Sequence, residues 1–341
     1  MSVPRRKSDM PLEILHRIGL FRVFQLLNSR SLTVLNYHRI ADPEKDGFDT
    51  FRPNISATPE NFAHQMDYMR QNFNVISEAE LLAWLRGEQG LPPRAAMITF
   101  DDGYQDNWAN AYPILRARNL PAIIFLTTNY IEKNTPFYWD TLAYVFRHTK
   151  KDHADLPLIG EQSWQNDHEM EQVMLMWAEA AKLLPESEKE KALQRIPEIL
   201  DVLIPENAFQ GLHLSWDQVR EMAQNGIEMG SHTISHPILT RISIEQVKEE
   251  LVESKKRIEA EIGMPVKSFA YPNGGVADFT PRISGLLRES GYHLAFSLIP
   301  GPTSFATVKE NPYAIRRIFL LHADSFSRFV GKMTGLARFF A

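Results

Sequence analysis

The chain has 341 residues, a formal net charge of −5, 44% hydrophobic residues and 23% charged residues. These values are ordinary for a soluble globular protein with one large core or two smaller ones, and the negative charge gives no reason to expect a nucleic-acid binder. No cysteine is present, which excludes disulfides, thiolate zinc sites and a thiol nucleophile, so any metal site must use His, Asp and Glu. No apolar run approaches the ~20 residues needed to span a bilayer.

Residues 1–30 are predicted to form an amphipathic helical segment. Arg17 and Arg22 interrupt its apolar run, and no small-residue cleavage site is evident, so we read no secretory signal and predict a cytoplasmic location. Residues 326–340 have a similar basic and apolar character. We favour helices packed on the ends of the domain; the alternative is peripheral attachment to an anionic membrane face.

From residue 31 onward, short apolar strands alternate with helices. The predicted strands are 32–37, 74–77, 95–100, 122–127, 227–230, 268–271, 294–298 and 314–321. The predicted helices are 59–72, 78–86, 106–118, 216–225, 244–262 and 281–290. Repeated strand–helix units with short connections are typical of a parallel (β/α) barrel, so residues 31–341 are predicted to form one barrel.

A helical insertion interrupts the barrel over about residues 129–213, where the longest predicted helices are 170–184 and 186–203. Phe137, Tyr138 and Trp139 stand near its start. Aromatic rings at a barrel mouth can stack on sugars, but these rings can equally well pack the insertion. The sequence favours neither interpretation.

Two adjacent carboxylates, Asp101 and Asp102, directly follow the predicted strand 95–100. The carboxyl ends of strands are where α/β folds place their chemistry. Adjacent like charges repel each other, so this pair requires a cation or a shared proton. The alternative is a plain turn at Asp102-Gly103, with Asp101 capping the next helix.

Two histidines, His232 and His236, follow the predicted strand 227–230. Their spacing lets both rings lie on one face of a helical turn and converge on one metal ion. Two imidazoles and one carboxylate leave coordination positions open for water, and Asp102 is the expected third ligand because it also ends a strand. An ordinary pair on a helix face is the alternative.

The third motif, Tyr271-Pro272-Asn273, leads from the predicted strand 268–271 into a glycine-rich turn. Backbone N–H groups in such a turn suit an oxyanion hole. Taken alone, the motif is equally consistent with a plain β-turn.

In order and approximate spacing, the three motifs resemble the polysaccharide deacetylases of carbohydrate esterase family four, over about residues 32–321 without the insertion. The resemblance implies an α/β fold, a distorted (β/α)7 barrel. It implies a divalent metal, usually zinc, and removal of N-acetyl groups from amino sugars such as N-acetylglucosamine in a poly- or oligosaccharide.

The resemblance also implies residue roles. Asp101 would be the general base, and Asp102, His232 and His236 the metal ligands. The Asn273 N–H would help to hold the oxyanion, with Tyr271 and Pro272 in the same oxyanion and substrate-binding motif.

The chain departs from the family pattern in two places. Many members have an arginine near position 270 that orients the base; here Arg316 or Arg317 could substitute. The catalytic acid is usually a late histidine, for which His322 is a candidate. His38 resembles the acid of permuted members, in which the histidine comes from the first strand, and we favour it because it ends a strand at the same mouth as the ligands.

Two other functions compete with deacetylation. One is a different amide hydrolase on the same barrel, such as a deformylase of N-formyl sugars. The other is a non-catalytic carbohydrate-binding relative, which would have no use for the base Asp101. The expected partner is a carbohydrate, and a lipid-linked saccharide presented at a membrane face fits the basic, apolar ends of the chain.

Overall fold

The computed structural model describes residues 10–45 and 47–335. Residues 1–9 of the predicted N-terminal segment and residues 336–340 of the predicted C-terminal helix lie outside the described residues. The strands are β1 Ser31–Tyr37, β2 Arg39–Ile40, β3 Ile55–Ala57, β4 Asn74–Val75, β5 Ala95–Phe100, β6 Ala122–Leu126, β7 His153–Leu156, β8 Gly160–Ser163, β9 Ile227–Ser231, β10 Ser268–Ala270, β11 Leu294–Phe296, β12 Thr303–Ser304 and β13 Ile318–Phe319. The helices are α1 Met10–Arg17, α2 Leu20–Leu27, α3 Pro59–Asn72, α4 Glu78–Leu85, α5 Tyr112–Arg118, α6 Tyr138–His148, α7 Asp167–Ala181, α8 Glu186–Ile199, α9 Trp216–Gln224, α10 Ile244–Ile262, α11 Pro281–Glu289, α12 Phe305–Glu310 and α13 Phe326–Met333.

The chain divides into two compact units. The insertion unit comprises Pro43–Asn54 and Lys133–Leu212, and the barrel unit comprises the remaining described residues. The barrel unit therefore includes all of the strands that are predicted for the barrel.

The barrel unit is built on one curled sheet whose strands run in the order β11-β10-β9-β6-β5-β1, with β13 also paired to β1. These pairings are parallel. Ile315 forms a parallel bridge with Phe296 of β11, while Ile318 pairs with Leu35 of β1. The last segment thus joins the two edges of the sheet, and the predicted distorted (β/α)7 barrel is confirmed.

The predicted last strand, 314–321, is much shorter in the structure, where β13 has two residues. The reason is a change of partner within the segment. The Ile315 N–H donates to the carbonyl of Ala295 in β11, whereas the Leu320 N–H donates to the carbonyl of Asn36 in β1. Because the chain crosses from one neighbour to the other, it does not form a long regular ladder.

Most of the predicted barrel elements appear with bounds within two residues of the expected ones, and α3, α10 and β5 match them at both ends. Thr58 caps α3 through its side chain, and Ser243 opens α10 with a capping box. All six residues of β5 are buried, as expected for a parallel strand covered on both faces.

The N-terminal segment differs from a single helix. Gly19, with φ of 73°, separates α1 from α2, because a left-handed residue cannot continue a right-handed helix. Leu12 and Phe21 are buried against Gly331 of α13. No helix among the described residues has the length and hydropathy that a membrane span requires.

The insertion unit contains α6, α7 and α8, and also an antiparallel hairpin of β7 and β8 that the helical prediction missed. Burial alternates along β7, where Ala154 and Leu156 face inward, so its period is that of a strand. Phe137 and Trp139 are buried and stacked on each other at 4.5 Å. Packing, rather than sugar stacking, is therefore the observed role of these two rings.

Candidate active site

The parallel strands β1, β5, β9 and β10 end at the same edge of the sheet, with β6 between β5 and β9. His38 follows β1, Asp101 and Asp102 follow β5, and His232 follows β9. The parallel pairing of these strands explains how residues about 200 positions apart in the sequence meet in space.

Asp102, His232 and His236 form a cluster that can hold a metal ion, with one ligand atom from each lying within 4.8 Å of the others. Asp102 Oδ1 lies 3.6 Å from His232 Nε2 and 3.5 Å from His236 Nε2. His232 Nδ1 lies 2.7 Å from the Ala270 carbonyl oxygen, so a proton on Nδ1 leaves Nε2 free to coordinate. Two imidazoles and a carboxylate are the donor set of a zinc-type site with open positions, and the residues present fit such an ion.

The segment that carries the two histidines is a loop and not the predicted helical turn. Thr233 and His236 have φ values of 74° and 65°, in the left-handed region. The loop is held by the carboxylate of Glu250 on α10, which accepts from Ile234 N at 2.6 Å and Ser235 N at 3.1 Å. Sequence reasoning missed Glu250, because no local pattern distinguishes it from the other glutamates of α10.

Asp101 is completely buried and bound on both carboxylate oxygens. Arg317 donates to Oδ1 at 2.6 Å and to Oδ2 at 2.8 Å, and Asn36 Nδ2 donates to Oδ2 at 2.8 Å. Burial alone would raise the pKa of Asp101, but the charges of Arg317, His232 and His38 hold it well below its usual range. Asp101 is therefore a carboxylate at neutral pH.

Of the two arginines that the sequence offered, the structure brings Arg317 to Asp101, whereas Arg316 is exposed. The Arg317 guanidinium is fixed further by donating to the Ser297 carbonyl at 3.1 Å. Asn36 is the other residue that sequence reasoning missed. Its signal was available, since it is a polar side chain in the otherwise apolar and buried strand β1.

His38 lies beside Asp101, with 4.0 Å between His38 Nε2 and Asp101 Oδ2. Burial lowers the pKa of His38 to about 4; Asp101 opposes this shift, while Arg317 and His232 add to it. The backbone N–H of His322 donates to the Ile55 carbonyl at 2.9 Å. The structure thus places His38 beside Asp101, and the choice between His38 and His322 as the acid stays a prediction.

The Tyr271-Pro272-Asn273 motif forms a tight turn after β10. The Tyr271 hydroxyl donates to the Tyr313 carbonyl at 2.9 Å, and its ring stacks on Phe279. The side chain of Tyr271 is therefore packed in the core, and the expected part of Tyr271 and Pro272 in substrate binding stays a prediction. Asn273 has φ of 58°, and its role in an oxyanion hole stays a prediction.

A model of the polysaccharide deacetylase family matches residues 88–295. YxkH of Bacillus subtilis is 22% identical over 299 residues, which are 87% of this chain and 74% of that protein. The poly-β-1,6-N-acetyl-D-glucosamine N-deacetylase of Staphylococcus epidermidis is 25% identical over 213 residues, 59% of this chain and 71% of that protein. The solved structure of the Streptococcus pyogenes deacetylase PplD in complex with acetate has a similar fold, with a TM-score of 0.59, 17% identity, and coverage of 89% of this chain and 98% of that one.

The family match spans more than half of the chain and includes Asp101 and the three clustered candidate ligands. His38 and Arg317 lie outside the matched range and reach the same site through β1 and the segment before β13. This chain belongs to the polysaccharide deacetylase family, and it is a hydrolase that acts on amide bonds.

Proposed function

We propose that the protein is a metal-dependent N-deacetylase of amino sugars in a poly- or oligosaccharide. The observation that carries the proposal is the pairing of a buried, arginine-held carboxylate, Asp101, with the adjacent Asp102, His232 and His236 cluster. A protein that only binds carbohydrate has no need of a buried base beside a metal-binding cluster. Amide hydrolysis needs both parts.

Asp102, His232 and His236 would hold the cation through one oxygen and two nitrogen atoms. When bound there, a divalent ion supplies Lewis-acid chemistry, lowering the pKa of a water molecule and polarising the acetyl carbonyl. Zinc suits two imidazoles and a carboxylate, and we propose it as the ion. The Ala270 carbonyl keeps the ring of His232 in the tautomer that this role requires.

Asp101 accepts a proton from the attacking water. Arg317 and Asn36 fix the position of its carboxylate, so the base does not have to reorient during the reaction. His38 lies 4.0 Å from Asp101 and has a pKa of about 4, so the ring is neutral in the resting enzyme at pH 7. We propose that it takes up the proton that Asp101 accepts from the water and passes this proton to the departing amine. The Asn273 N–H is proposed to stabilise the negative oxygen of the tetrahedral intermediate, and one such donor is worth about 3 kcal/mol.

N-acetylglucosamine residues are the proposed substrate units. The support is the similarity to the S. epidermidis protein, whose name gives poly-β-1,6-N-acetyl-D-glucosamine as its substrate. We propose that the saccharide is a lipid-linked intermediate of surface polysaccharide synthesis, and that the enzyme meets it at the cytoplasmic face of a membrane. The basic, apolar N-terminal segment supports this location.

The decisive experiment measures acetate and formate released from N-acetylated and N-formylated glucosamine oligosaccharides, after chelation and again after zinc is restored. We expect acetate release that chelation abolishes and zinc recovers. Asp101→Asn is expected to retain zinc and lose turnover. Formate without acetate would identify the other amide hydrolase, and zinc binding with neither product would indicate a carbohydrate-binding protein.

The acid is tested by a matched pair of histidine variants. His38→Ala is expected to lower kcat by about 10²–10⁴-fold, the usual contribution of a positioned acid. His322→Ala should keep near wild-type kcat, since His38, which lies 4.0 Å from Asp101, is the proposed acid. The reverse result would reassign the acid to His322.

A further inference from the structure

The helices α1 and α2 expose apolar side chains. The exposed fractions are 55% for Ile14, 67% for Ile18, 49% for Val23 and 69% for Leu26. Ile18 directly follows α1, and its backbone N–H donates to the Ile14 carbonyl, so these two residues lie one helical turn apart. Val23 and Leu26 are three residues apart within α2 and therefore share one side of that helix. We name these four residues the apolar face.

Packing alone does not explain the apolar face, because other residues attach these helices to the barrel unit. Leu12 and Phe21 are buried in its main core. A Cβ on Gly331 would lie 3.3 Å from Leu12 and 3.5 Å from Phe21, which shows how closely α13 approaches them. The helix pair is thus docked by one set of apolar residues and exposes a second set, which is the pattern of an interfacial helix.

The net charge of the N-terminal segment favours an anionic lipid bilayer as the partner of the apolar face. Residues 1–30 contain six Lys or Arg residues and two Asp or Glu residues, a net charge of +4, whereas the whole chain has −5. A second copy docked through the same surface would bring two positive segments together, which repel each other. An anionic bilayer instead attracts the basic residues and accepts the apolar side chains at the boundary between headgroups and acyl chains.

We propose that α1 and α2 form an interfacial anchor that binds the apolar face to an anionic lipid bilayer. The inference deepens the membrane location proposed above, but none of its residues belongs to the active site. A deacetylase assay on a soluble oligosaccharide and a lipid-binding assay can therefore fail separately.

The test is sedimentation of the full-length protein with vesicles of phosphatidylcholine alone or mixed equally with phosphatidylglycerol. We expect binding to the mixed vesicles that weakens at high salt, and little binding to phosphatidylcholine. The double variant Ile18→Glu with Leu26→Glu should lower affinity for the mixed vesicles roughly tenfold or more, since it adds two negative charges to the face. Leu203→Glu, at a residue 89% exposed in the insertion unit, is the matched control and should bind like wild type.

Folding of the double variant is checked by its activity on soluble substrate, or by its circular dichroism spectrum and zinc content if the chain proves inactive. The proposal is wrong if the wild type stays in the supernatant with mixed vesicles, or if the folded double variant sediments as the wild type does. It is also wrong if light scattering finds a wild-type dimer that the double variant converts to monomers, because the apolar face would then join two copies of the chain.

Discussion

The protein should lose stability as pH rises through neutrality because of one buried carboxyl group, Glu78. This residue begins α4, and the Glu228 carboxylate lies beside it, accepting from Glu78 N at 2.7 Å and Ala79 N at 3.1 Å. Burial raises the pKa of Glu78 from 4.5 to about 7, and the charge of Glu228 raises it as well. Ionised Glu78 is therefore disfavoured in the folded state.

The sign and size of the effect follow from proton linkage. Between pH 4.5 and about 7 the folded chain holds a proton on Glu78 that the unfolded chain has released, so the free energy of unfolding falls as pH rises. Below this window the penalty is absent, and above it the penalty is complete. Integration between about pH 5 and pH 8 gives a loss of about 2–3 kcal/mol from this group.

The variant Glu78→Gln removes the titration and keeps the shape of the side chain. In urea unfolding, its stability relative to wild type should improve by about 2–3 kcal/mol between about pH 5 and pH 8. Glu249→Gln, at an exposed position of α10, is the control and should show no such change. A difference between Glu78→Gln and wild type that is the same at both pH values would refute the reasoning.

Three further changes test the site. Arg317→Lys keeps the charge but loses the paired donors to Asp101, so steady-state kinetics should show kcat lower by about 10-fold or more, while zinc content stays at the wild-type level. Glu250→Gln weakens the hold on the histidine loop, and calorimetric titration should find zinc affinity reduced about 10–100-fold, with Glu249→Gln unchanged. Gly274→Ala places a Cβ 2.7 Å from the Leu298 backbone nitrogen at a φ of +67°. The control is Gly263→Ala, where φ is +68° and space is open, and where we expect a loss of ~1 kcal/mol in the free energy of unfolding. Thermal unfolding should find a larger loss for Gly274→Ala, and equal losses would show that the turn adjusts.

The sequence predicted those parts of the fold whose causes are local. Apolar runs, caps and helical periodicity marked β5, α3 and α10 within one stretch of chain, so they could be identified without tertiary information. The shortening of β13 could not be predicted in this way, because the first half of its segment bonds to β11 and the second half bonds to β1. The hairpin of β7 and β8 was missed because its strands are short and mostly polar.

The residues of the candidate site also divide into those that local sequence patterns predict and those that depend on tertiary structure. Asp101, Asp102, His232 and His236 were found because each pair stands at the end of a predicted strand. Glu250 was not, since its function comes from where α10 crosses the histidine loop and not from its neighbours in sequence. For the base-holding arginine, the sequence narrowed the choice to two adjacent positions, and barrel closure distinguishes them by burying Arg317 and exposing Arg316.

Barrel closure also explains how the proposed acid and base reach each other. His38 follows the first strand, and Arg317 immediately precedes the last one. The pairing of Leu35 with Ile318 brings these two segments together, and β5, which carries Asp101, is the other neighbour of β1. Asp101 is therefore held by an arginine from one side of β1 and faces a histidine from the end of β1 itself. A substitution that loosened the contact between β13 and β1 would thus reduce turnover without touching any of the three candidate metal ligands.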